Sequence, residues 1–190
     1  IFTKPSLRNK TIFDYNVNML RTTSECMSAI LGGSDTISNI SYDSIYHKSN
    51  EFGERIARNQ LLILKEEAYL SEAYKFSNGA YYIENTEKQF AEKALQLFKQ
   101  IEKNGGFLKQ LKKGTIQNKI SENAGKQQEL FDQNKLILLG TNKLPSQNDR
   151  MKNELQIYPF LKKKNSKTLI VPILQRRLSE QHEQNRLKME

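Results

Sequence analysis

The chain has 190 residues, of which 37% are hydrophobic, enough for one lean core and outside the range of disordered sequences. Thirty Lys and Arg against 21 Asp and Glu leave a net charge of +9, which favours polyanions near the surface. The basic residues are nevertheless scattered through runs such as Lys109–Lys113 and Lys162–Lys164, without the interleaved aromatics of single-strand binders, so nucleic acid is not the expected partner. No apolar run approaches the roughly 18 residues of a spanning helix, so no membrane is expected. The single cysteine, Cys26, has no partner for a disulfide or thiolate metal site, which suits a reducing, cytoplasmic setting. Ile1 opens the chain without leader-like character, giving the expectation of a start inside a longer polypeptide.

Thr22 and Glu25 have the spacing of a capping box, so a short helix is expected from Thr23 to Leu31, with Gly32 and Gly33 ending it. Thr36–Ile40 reads as a strand, and Tyr42 and Asp43 open a loop. From Glu51 to Ala73, Phe52, Ile56, Ile63 and Leu70 recur at spacings of four and seven, the pattern of a long amphipathic helix. Ser77–Gly79 signals a turn and Ala80–Glu84 a brief extended piece.

A helix from Glu87 to Lys103 carries Phe90, Ala94, Leu97, Phe98 and Ile101 on one stripe and ends at Gly105 and Gly106. Phe107–Lys112 and Thr115–Gln133 add two more helices, and Leu136–Leu139 reads as a buried strand emptying into Gly140–Asn142. Residues 143 to 168 are polar and read as a linker or surface arm, Leu169–Ile173 as an apolar anchor, and Gln175–Glu190 as an exposed, helix-compatible tail. The order of elements is that of α/β construction, with too few strands to close a sheet.

Few residues suggest catalysis. His47 in a polar loop and His182 in the charged tail both read as solvent-exposed imidazoles, and no zinc spacing, Walker A, GxGxxG or GxSxG element is present. Asp35 after the glycine pair is either functional or a cap on the amides of its turn, with the cap favoured. Arg21 and Glu25 are spaced to pair, as are Arg55 and Arg58 with Glu51 and Glu54. Tyr81 and Tyr82 stack on a planar ligand or, more commonly, pack against a wall.

The runs Asp14–Thr23, Ala29–Asp35, Ser41–Asp43, Phe52–Asn59, Gly79–Glu84 and Leu139–Asn142, in this order and spacing, resemble the methylmalonyl-CoA mutase family over about residues 5 to 142. A weaker similarity continues through Arg176, Arg177, Glu180 and Glu183. The resemblance implies an α/β fold, a partial TIM-barrel-like fragment with long helices and a helical or extended C-terminal arm. Residues 1–114 would be the C-terminal portion of a (β/α)8 barrel, 115–142 the helix and strand after it, and 143–190 a linker, anchor and tail. Within that framework Arg21, Thr22, Glu25, Gly32, Gly33, Asp35, Asp43, Arg55, Arg58, Asn59, Gly79, Tyr81 and Tyr82 fall on structural motif positions.

The family has a large chain, which carries adenosylcobalamin and rearranges methylmalonyl-CoA and succinyl-CoA by radicals, and a small related chain that binds neither reactant and dimerises with it. Ser34–Asp35 after the glycines resembles the small type. Leu31 stands where the catalytic type has a glutamine, Ser38–Ile40 where it has His-Thr-Asn, and Leu61 where it has the Gln of Arg-Asn-Thr-Gln. Lys75–Phe76 and Ala80 also depart from the family's Asp-Pro and Ser, and the cobalamin signature Asp-x-His-x-x-Gly is absent. The resemblance therefore implies a degenerate pocket at Leu31, Ser38 and Leu61 that has become core, no catalytic or metal-binding residue, and no cofactor on this chain. Adenosylcobalamin is expected in the partner large subunit of a heterodimer. A fragment of a catalytic barrel and a basic polyanion-binding module are the alternatives.

Overall fold

The computed structural model describes residues 1–73, 76–162 and 167–190; Lys75 of the expected loop departure lies outside them. Near the N-terminus β1 (Phe2–Thr3) pairs in parallel with β2 (Thr36–Ile37), and α1 (Val17–Leu31) connects them. Parallel neighbours need such a crossover because no tight turn can reverse the chain twice. The expected strand Thr36–Ile40 is thus real but two residues long, and its partner Phe2–Thr3 was too short to show a period-two pattern. The described residues are mainly helical with this one small parallel pair, in keeping with an α/β fragment.

α1 begins at Val17, six residues before the expected start. The reason is that Thr22 is not a cap: its hydroxyl is fully buried inside the helix and donates to the carbonyls of Asn18 and Met19, both at 3.0 Å. Such back-bonding lets a threonine sit mid-helix. Gly32 and Gly33 end α1 as expected, Gly33 at φ +75°, a conformation that favours glycine.

The expected long helix Glu51–Ala73 breaks into three. α2 (Glu51–Leu62) is capped by Asn50, whose side chain accepts from the Gly53 amide at 2.8 Å. A π-helical turn follows at Ile63–Glu67, then, after Tyr69 in the left-handed region at φ +53°, a 3-10 turn at Leu70–Glu72. The buried stripe is Gly53, Ala57, Gln60 and Leu64, whereas Phe52, Leu62 and Ile63 are exposed. Spacing alone fixed the period but not the face; small residues let α2 approach its neighbours closely.

By packing, the chain divides into two units. The first comprises residues 1–76, 131–161 and 175–190. Its core joins Ile12, Phe13, Tyr46, Met151 and Phe160, and a second cluster joins Phe131, Leu138 and Leu178. Met151 and Phe160 are buried while most residues between 143 and 161 are exposed, so of the two expected readings this stretch is the surface arm, pinned to the core at two points, and not the linker. Leu136–Leu139 forms no strand; Asn142 instead closes a loop there, accepting from the Leu138 amide at 2.7 Å and donating to the Leu136 carbonyl at 2.8 Å.

The tail is exposed only in part: α6 (Glu180–Leu187) buries Glu183, and Arg177, Leu178 and Ser179 before it are buried too, while Gln181, His182 and Asn185 face solvent. The Leu178 amide donates to the Arg8 carbonyl at 2.9 Å, tying the end of the sequence to its beginning. Polar, ion-paired burial of this kind leaves no apolar periodicity to read.

The second unit comprises residues 77–130 and 162–174. α3 (Tyr81–Lys103) starts where an extended piece was expected, while α4 (Phe107–Lys112) and α5 (Thr115–Asp132) fall where read. α3 buries no residue, so Tyr81 and Tyr82 are exposed rather than packed on a wall. The expected anchor is exposed at Leu169, Val171 and Ile173; its Val171 carbonyl accepts from the Gln117 side chain at 3.0 Å.

Candidate functional site

Thr22, one of the family-motif residues, joins a polar cluster between α1, α2 and the residues after β2. Gln60 is buried, and its amide nitrogen lies 2.9 Å from Thr22 Oγ1 and 2.7 Å from Thr23 Oγ1, with the Met19 carbonyl as a third acceptor. Its carbonyl oxygen accepts from Asn39 Nδ2 at 2.8 Å, and Asn39 also donates to the Ala57 carbonyl at 3.0 Å. Every polar atom of Gln60 is therefore used within the fold, the condition under which a buried amide is tolerated. Leu31, Ser38 and Leu61, expected as core, are half-buried in this chain.

On the other flank of α1, Arg21 donates to Thr11 Oγ1 at 3.0 Å, to Asn18 Oδ1 at 2.8 Å and to the Leu139 carbonyl. Asn18, fully buried, donates to the Thr11 and Tyr42 carbonyls at 2.8 and 3.0 Å. Glu25 accepts from Asn9 at 2.6 Å and lies 2.9 Å from Lys10 Nζ. The expected Arg21–Glu25 pair is thus replaced by Arg21 to carbonyls and hydroxyls and Glu25 to Lys10. Burial lowers the basicity of both Lys10 and Arg21; for Lys10 the hydrogen bond and charge of Glu25 oppose that.

Asp43 anchors a third cluster. Its Oδ2 accepts from Asn50 Nδ2 at 2.7 Å and lies 3.1 Å from His47 Nδ1. Oδ1 has no hydrogen-bond partner and faces Gly53, where an added Cβ would stand 2.7 Å away. His47 is therefore half-buried and oriented by a carboxylate, not the bare imidazole expected. A carboxylate-held histidine has the form of a metal ligand, but its ring lies 4.3 Å from that of Tyr46, and no group of three His, Cys, Asp or Glu side chains among the described residues is arranged to hold a metal. His182 is exposed as expected, with its ring edge-on to Phe131.

The remaining motif positions are dispersed. Asp35 is exposed, and its backbone amide donates to the Ile1 carbonyl at 3.0 Å. Arg55 and Arg58 are exposed and Asn59 half-buried; among the described residues no ion pair links the arginines to Glu51 or Glu54, and Glu54 accepts from Ser49 instead. Gly79 turns the chain at φ +80°, its amide donating to Glu84 at 2.8 Å.

A family model for methylmalonyl-CoA mutase matches residues 1–189. The chain belongs to the methylmalonyl-CoA mutase family. It is 40% identical over 141 residues, 74% of this chain, to the methylmalonyl-CoA mutase small subunit of Porphyromonas gingivalis, and covers 23% of that protein. The methylmalonyl-CoA mutase of Escherichia coli is 35% identical over 129 residues, 68% of this chain and 18% of its own length. The large subunit of P. gingivalis is 29% identical over 126 residues, 66% of this chain and 18% of its own. The chain thus spans about a fifth of the length of these mutase relatives. The buried amide of α2 is Gln60, one position before Leu61; the sign that would have found it is its place on the stripe of Gly53, Ala57 and Leu64.

Proposed function

We propose that this chain is part of a non-catalytic small subunit of adenosylcobalamin-dependent methylmalonyl-CoA mutase, and that it forms C-terminal barrel wall and following helices in the cytoplasm. The observation that carries the reading is the contrast within one organism: 40% identity to the P. gingivalis small subunit against 29% to its large subunit. It is supported by aliphatic side chains at 31 and 61, where a thioester would need hydrogen-bond donors. A donor or acceptor left unmet there would cost about 1–3 kcal/mol.

On this reading cofactor and chemistry belong to the large subunit. A radical reaction requires a closed, dry chamber, and a rigid neighbour helps hold it closed. What this chain contributes is rigidity: the fully bonded Gln60 node ties α1 to α2 and to Asn39. The 35% identity to the E. coli mutase keeps a catalytic-barrel fragment as the second reading.

Co-expression of the full parent polypeptide with a mutase large subunit tests the proposal. The two are expected to co-purify as a heterodimer; failure to associate would remove the small-subunit assignment.

A further inference from the structure

We draw no further inference here: the strongest candidate, the apolar groove of the second unit between α3, α4 and α5, lined by Leu97, Ile101, Phe107, Ile116 and Ile120, carries none because nothing in the structure shows what covers it.

Discussion

Glu183 Oε2 lies 2.6 Å from Arg177 Nη1, and the two side chains are 2% and 6% exposed. Glu183 Oε2 and Arg177 Nε make no hydrogen bond, but neighbouring groups hold both side chains: Glu183 Oε1 accepts from the Ile12 amide at 3.0 Å and Ser179 Oγ at 2.7 Å, and Arg177 Nη1 donates to the Lys10 carbonyl at 3.1 Å. The pair thereby fastens the C-terminal helix to the loop before α1. Removing one member leaves the other charge buried, so Glu183→Ala or Arg177→Ala should cost about 3–5 kcal/mol, while the double replacement Arg177→Met with Glu183→Leu should cost much less. Urea denaturation of the full-length polypeptide checks both; equal losses for single and double variants would contradict this account.

Gln60→Leu should destabilise the fold by about 1–3 kcal/mol, because Asn39 and the Thr22 and Thr23 hydroxyls lose their shared partner in a buried place. Leu61→Gln, at a half-buried neighbouring position, should fall within about 0.5 kcal/mol of wild type. A larger loss at 61 than at 60 would reverse the assignment of the two faces. Chemical denaturation midpoints give the comparison.

Gly53→Ala sets two effects against each other. Alanine in a helix interior gains up to about 1 kcal/mol over glycine. Here its Cβ would stand 2.7 Å from Asp43 Oδ1, 3.2 Å from Ser41 Cβ and 3.3 Å from Asn50 Oδ1, and the first of these is a buried carboxylate held on its other oxygen. Overpacking of this order costs about 1–3 kcal/mol, so the clash should win and thermal unfolding should occur at lower temperature. A stabilised variant would mean that the Asp43 cluster yields easily.

Helices α3, α4 and α5 were legible to within a residue or two at most of their ends because glycines punctuate them and their stripes follow one period. The start of α3 was not, since Tyr81 and Tyr82 carry strand propensity that no neighbouring strand takes up. The first unit was harder. Its hold on residues 143 to 190 rests on isolated buried residues, Met151, Phe160 and Leu178, and on polar groups such as Glu183, none of which generates a repeat. The motif residues were found by resemblance, yet their partners were not: Gln60, Asn39, Asn18 and Lys10 act across segments far apart in sequence.

Cys26 is 1% exposed, and burial, reinforced by Glu25, pushes its thiol from the ordinary 9.0 up to about 11. A raised thiol favours the protonated folded form, so its contribution to stability is intact below pH 9.0 and declines as pH rises towards about 11. The native thiol should therefore resist alkylation at mildly alkaline pH and titrate by thiolate absorbance near its raised value. Labelling of the native protein as fast as the unfolded chain would contradict the burial assigned to α1.

The central claim is that chemistry belongs to the partner. Its direct measurement is conversion of methylmalonyl-CoA by the purified full-length polypeptide, with adenosylcobalamin supplied, first alone and then with the large subunit. The account predicts no succinyl-CoA from the polypeptide alone and turnover once the large subunit is added. Turnover by the polypeptide alone would contradict it.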